Sequence, residues 1–203
     1  MKRSVPYRLL EHPTLYKVSQ HIVAPGHNIL LQRHFQFIFN SSDGKILDVG
    51  CGPMLNTPVS HGTVYGLDIN LDYIKKYLIP HKREGVVGSA DHIPFKSGVF
   101  NESRCFGLLH HLPREAALST VREMIRCTKA NGRVIILDNV WPKKPYLRPL
   151  AWLNRRLDRG EWVRYEEELL RIAQEAFAGT WQLSRFTYTF IGQEAIALVL
   201  RKK

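Results

Sequence analysis

The chain has 203 residues, 44% of them hydrophobic, which suffices to bury a substantial core and most simply makes one globular unit. Its 29 lysines and arginines against 18 acids give a net charge of +11, which favours anionic partners or surfaces but is not evidence of nucleic-acid binding. Three cysteines without Cys-x-x-Cys spacing argue against structural zinc, and no run of about 18 uncharged apolar residues is present, so a cytoplasmic protein in a reducing compartment is expected.

Two amphipathic segments, about Thr14 to Ala24 and His27 to Phe39, flank Pro25-Gly26 and are expected to form a helical cap over residues 1–40. From Lys45 the pattern changes. Short β-branched runs (Lys45 to Val49, Thr63 to Leu67, Gly85 to Gly88, Asn101 to Gly107, Arg133 to Leu137) alternate with helical patterns at Leu71 to Leu78 and Arg114 to Thr128. Such alternation predicts parallel βαβ units with right-handed crossovers. In the second helix Leu118, Val121, Met124 and Ile125 share one face, and Asn131-Gly132 is expected to close it. A helix from Glu161 to Phe177 follows, then Trp181 to Phe190 and Glu194 to Arg201 as an antiparallel hairpin.

The strand ends carry the chemistry. Lys45-Ile-Leu-Asp-Val-Gly-Cys-Gly52 closes in an acid and a glycine pair, whose positive φ and missing Cβ let a ligand approach bare main chain, with Pro53 able to open a helix. Asp68 ends the second strand, where a carboxylate can accept both hydroxyls of a ribose. In Gly88-Ser-Ala-Asp91-His-Ile-Pro-Phe95, Asp91 can accept from an adenine amino group while Ile69 and Ile93 cover the ring faces. A dinucleotide fingerprint wants a third glycine where this chain has Leu55, and Pro53 and Met54 fill the space of a pyrophosphate.

Asp-Val-Gly-Cys-Gly, Gly-Leu-Asp-Ile, Ala-Asp-x-x-Pro-Phe and His-His-Leu, in that order, resemble the class I S-adenosylmethionine-dependent methyltransferases over about Lys45 to Asn139. The resemblance implies an α/β, Rossmann-like seven-stranded sheet, mostly parallel with a C-terminal antiparallel hairpin and helices on both faces. It implies S-adenosyl-L-methionine as cofactor and no metal. The methionine end would lie at Asp48, Gly50, Cys51 and Gly52, the ribose at Asp68 with Ile69, and the adenine at Ala90, Asp91 and His92. Asp48 can equally serve to order the glycine loop. Cys105, like Cys51, is a cofactor-side candidate that also reads as a small apolar packing residue. The chain departs from the family at Met54, where relatives carry a third glycine, and at the turn residues Asn101 and Ala130-Asn131.

A sulfonium methyl is already activated, so the expected chemistry is positioning plus removal of a proton from the acceptor. His110 or His111 can take that proton, with His111 preferred; the alternative is that the pair only shapes its loop. Acceptor recognition is expected from Trp141 to Arg164, a basic and aromatic insertion. If Pro149 opens a helix, Leu150, Leu153 and Leu157 form one face, expected to pack inward beneath a solvated basic lid, with Trp152, Arg155, Arg156 and Arg159 projecting elsewhere. The sharper reading is a surface for anionic lipid headgroups or for an acidic group on the substrate. Tyr16 in the cap and Arg159, Trp162 and Arg164 are the substrate-side candidates. The expected organisation is thus a cap (1–40), a cofactor-binding core (41–140), a basic lid (141–164) and a C-terminal helix and hairpin (165–203) in one domain. Its expected activity is methyl transfer to oxygen or nitrogen of a small-molecule or lipid-like acceptor. Two alternatives stand: RNA methylation, for which no recognition module is present, and a non-catalytic cofactor-binding protein on the same fold.

Overall fold

Ile46, Leu47 and Val49 are fully buried, as expected of a parallel strand covered on both faces. They form β1 (Lys45–Val49) at the centre of a seven-stranded sheet ordered β3-β2-β1-β4-β5-β7-β6. The computed structural model describes residues 24–38, 44–53, 62–78, 84–158 and 160–202. The expected first cap helix, apart from Ala24, lies outside them. The other strands are β2 (Thr63–Asp68), β3 (Glu84–Val87), β4 (Phe100–Phe106), β5 (Thr128–Val140), β6 (Trp181–Thr187) and β7 (Glu194–Arg201). Helices are α1 (His27–Ile38), α2 (Leu71–Leu78), α3 (Arg114–Cys127), α4 (Pro149–Arg156) and α5 (Glu166–Ala176).

Strands β1 to β5 are parallel, and β7 runs antiparallel to both β5 and β6. The expected hairpin therefore forms, but its second strand is inserted beside β5 and its first becomes the sheet edge. Helices cover both faces. On one, Leu118, Val121 and Met124 of α3 and Leu169 and Ile172 of α5 share a core with Val134, Ile136, Ile196 and Leu198. On the other, Leu31 and Phe35 of α1 meet Phe106, Leu137, Phe186 and Tyr188, and Ile74 of α2 meets Ile46 and Val64. Among the described residues no helix is long and apolar enough to cross a membrane.

Two boundaries differ from the sequence expectation for local reasons. Helix α3 stops at Cys127 because Thr128 is extended and its hydroxyl donates to the Met124 carbonyl at 2.7 Å, so Asn131-Gly132 falls inside β5 instead of capping the helix. Asn131 takes φ +62 there, and a Cβ on Gly132 would sit 2.9 Å from the Asn101 carbonyl oxygen. Helix α5 starts at Glu166, not Glu161, because Arg164 pairs with Val140 beside the sheet and Tyr165 is extended.

Candidate functional site

The strand order reverses between β1 and β4, so the loops leaving them diverge and open a crevice at the carboxyl edge of the sheet. The turn after β1 is held there by main chain: Gly50 and Cys51 donate to the Leu67 carbonyl at 2.7 and 3.1 Å. Gly50 and Gly52 have φ of +66 and +57. A Cβ on Gly50 would lie 2.7 Å from Leu108 Cδ1, so this turn closes directly on the loop after β4.

Asp68 stands at the end of β2, one strand away. Its Oδ2 accepts from the Gly52 N–H at 2.9 Å and its Oδ1 from the Asn70 N–H at 2.8 Å. Burial raises its carboxyl pKa in spite of these N–H groups. Asp68 thus has the loop-ordering contacts expected of Asp48. Asp48 is buried, its Oδ2 lying 3.8 Å from Nη2 of the equally buried Arg104. That pair continues across the sheet, where Arg133 donates to Glu102 at 2.6 Å.

Ile69, directly after Asp68, is 76% exposed. Beyond β3, half-buried Ala90 and Asp91 precede an exposed His92. The Ser89 hydroxyl bonds the Asp91 carboxylate and holds its pKa down, with help from His92. Ile93 does not face the crevice. It is buried in the main core, and its N–H donates to Glu123 at 2.9 Å. Cys51 packs against Ile46, Val64 and Ile74, and Cys105 lies fully buried in the main core, where burial pushes its thiol pKa well up. None of the three cysteines is in a disulfide.

After β4 the chain makes a 3-10 turn, Leu109–His111. His110 is buried within a polar network that the sequence reading missed. Its Nδ1 donates to Asp138 Oδ1 at 2.5 Å, its main-chain N–H reaches Asp138 Oδ2 at 3.1 Å, and its Nε2 lies 4.0 Å from Asp158. Burial opposes charge on the ring, but Asp138 and Asp158 outweigh it and the pKa of His110 is raised. The same contacts lower both carboxyl pKa values against their own burial. Asp158 also accepts from the buried Arg155 at 2.7 Å; Arg155 donates onward to the Tyr188 hydroxyl, which donates to Asn139 at 2.8 Å. His111 is exposed, its ring 4.1 Å from that of His110.

The 141–164 insertion closes over this turn. Trp162 donates its main-chain N–H to the His110 carbonyl at 3.0 Å and leaves its side chain partly exposed. A Cβ on Gly160 would lie 2.1 Å from His110 Cδ2. Arg164, expected at the pocket mouth, is instead buried, donating to the Leu109 and Leu112 carbonyls at 2.7 Å each. Tyr16 and Arg159 lie outside the described residues. The leucines of α4 and of its C-terminal cap also reverse expectation: Ala151 and Arg155 are the buried positions, and Leu150, Leu153 and Leu157 face outward.

Residues 47–136 match the family model of a methyltransferase domain. An uncharacterized protein of Methanocaldococcus jannaschii is 28% identical over 126 residues, 61% of this chain and 46% of the relative, so the match spans about half the length of that protein. Among solved structures, a candidate methyltransferase from Bacillus halodurans superposes with a TM-score of 0.65 at 18% identity, covering 84% of this chain and 97% of that one. A TehB-like S-adenosylmethionine-dependent methyltransferase from Corynebacterium glutamicum gives 0.62 at 18% identity, covering 97% and 100%. The structural likeness establishes the fold, and the domain match covers the strands that form the crevice. Residues 47–136 thus carry the match to a methyltransferase domain, on a fold shared with S-adenosylmethionine-dependent methyltransferases.

Proposed function

We propose that the protein transfers the methyl group of S-adenosylmethionine to an oxygen or nitrogen nucleophile of a small-molecule or lipid-like acceptor. The observation that carries this reading is the Asp68 carboxylate, which stands at the crevice oriented by the main-chain N–H groups of Gly52 and Asn70. A carboxylate so placed suits the paired hydroxyls of a ribose. Exposed Ile69 offers an apolar surface to the adenine, with Ala90, Asp91 and His92 beyond the neighbouring strand. The bare turn at Gly50–Gly52 suits the methionine end, with Asp48 supporting it from within the sheet.

When bound, the donor supplies an activated methyl whose leaving group departs neutral. The chain's own task is to hold the nucleophile in line, which lowers the entropic cost of the encounter. We assign proton acceptance to His111, which is exposed, and positioning to His110, whose ring is flanked by Asp138 and Asp158. Trp162 is the substrate-side residue best placed at this turn; Tyr16 and Arg159 remain assigned to the acceptor side on sequence grounds. Arg164 acts through the turn it braces.

Calorimetry with S-adenosylmethionine, followed by transfer of its labelled methyl to fractionated small molecules, lipids and RNA, tests the reading. Binding with label in the small-molecule or lipid fraction upholds it. Label in RNA replaces the acceptor class, and absence of cofactor binding overturns the proposal.

A further inference from the structure

Helix α4 is inverted in its polarity. Leu150, Leu153 and Leu157 are 62%, 49% and 75% exposed, and they lie on one stripe at i, i+3 and i+7. Tyr146 and Leu147, just ahead of the helix, are exposed as well. Arginines hold the inner side. Arg148 donates to the Thr187 hydroxyl at 2.8 Å and the Gly192 carbonyl at 3.0 Å, and Arg155 donates to Asp158 and Tyr188. Rolling the leucines inward would strip a buried guanidinium of its partners, so their outward direction is fixed by the construction of the segment.

Beside the stripe lies a cleft of ≈ 240 Å³ lined by Lys143, Lys144, Leu147, Arg148, Arg185 and Glu194. Glu194 is committed to Arg148 at 2.8 Å and to Arg185. Among the described residues neither lysine ammonium has a carboxylate partner, which leaves positive charge in the cleft. Arg156, over the Trp152 ring at 5.4 Å, adds a further cation next to the leucines. Contiguous exposed leucine and tyrosine bordered by cations match an anionic bilayer surface, where the apolar groups enter the interface and the cations meet phosphate. A single-stranded RNA surface would offer stacking rings, and a row of leucines contributes nothing to it.

We propose that α4 and the turn before it form a peripheral docking surface for anionic membranes, with Leu147, Leu150, Leu153 and Leu157 entering the interface and a lipid phosphate received between Lys143 and Lys144. Glu194 is paired across the sheet with Val140 at the carboxyl end of β5, so docking turns that edge of the sheet towards the bilayer. This surface goes beyond the proposed transfer reaction and does not depend on it.

The test is co-sedimentation of the full chain with vesicles of phosphatidylcholine alone or mixed with phosphatidylglycerol. Binding is expected only to the mixed vesicles, accompanied by a blue shift of tryptophan emission. Both Lys143→Ala with Lys144→Ala and the exposed triple Leu150→Gln, Leu153→Gln, Leu157→Gln should weaken it about tenfold or more. A charge-matched control, Lys75→Ala with Lys96→Ala, should leave it within about threefold. Absence of vesicle binding, retention of binding by the leucine variant, or equal loss in the control overturns the proposal. So does displacement from vesicles by inorganic phosphate at matched phosphate concentration, which would make the cleft a site for a free anion, or RNA binding lost in these variants without any vesicle binding.

Discussion

The Oδ2 of Asp68 lies 2.9 Å from the main-chain nitrogen of Gly52, so the acid that ends β2 fixes the turn that ends β1. Asp68→Ala should weaken S-adenosylmethionine binding by about 1.5–3 kcal/mol through loss of charge-assisted bonds. Isothermal calorimetry reads this directly, and unchanged affinity would remove the ribose assignment. The melting temperature should fall too, because the N–H groups of Gly52 and Asn70 lose their acceptor.

Gly50→Ala should destabilise the fold by more than its backbone strain alone. The φ of +66 costs a Cβ-bearing residue about 1–3 kcal/mol, and contact with Leu108 at 2.7 Å adds to it. Gly98 is a built-in control, with the same φ of +66 and nothing within 4 Å of an added Cβ. In urea denaturation Gly98→Ala should show the strain only, and Gly50→Ala with Leu108→Ala should approach it. Equal costs for the two single variants would disprove the clash.

Stability should be greatest in mildly acidic solution. His110 has a pKa raised above its ordinary 6.5, so its stabilisation is complete below that value and is lost as pH rises through the folded pKa. Asp138 and Asp158 have pKa values lowered from 3.8; their contribution is present above that value and is lost as pH falls through the folded values. Melting temperature against pH should therefore decline on both sides of the window between 3.8 and 6.5. His110→Gln should remove most of the alkaline decline, and an unaltered decline would place its origin elsewhere.

His111→Ala should reduce turnover by about a hundredfold or more, the scale of general-base catalysis, with little change in cofactor affinity. The informative comparison is the pH–rate profile. Superimposable profiles for wild type and variant would assign proton removal to another group.

Arg155→Met should loosen the 141–164 segment by about 3–5 kcal/mol, because Asp158 would be left without its cation in a buried setting. Limited proteolysis should then cut within this segment before the sheet. Resistance equal to wild type would show that other contacts suffice.

Much of the crevice edge was legible because parallel strands buried on both faces leave continuous apolar runs, and the polar residues that end them stand out. Asp68 was visible in this way. Asp138 carries the same signal, closing the run Val134 to Leu137, and could have been found by it. Arg155 and Asp158 could not, since their burial depends on each other and on His110 and Tyr188, which are distant in sequence. The periodicity of Leu150, Leu153 and Leu157 was read correctly as one face but assigned the wrong direction. Hydrophobic spacing identifies a stripe, and here charged partners decided which side of the helix was buried.

Strands β5 and β6 never touch; β7 lies between them and pairs antiparallel with both. In order of synthesis, β3-β2-β1-β4 and the turns around Gly50, Asp68 and His110 can pair from residues already made. The outer edge of β5 must wait, unpaired, for Glu194–Arg201. Glu194, which gathers Arg148 and Arg185, arrives with that strand. Assembly of this molecule thus has a built-in sequence of events: the half that carries the crevice can organise first, and the half that carries the C-terminal hairpin is completed only when the late strand slides between two earlier ones, the kind of non-local pairing that sets a slow folding step.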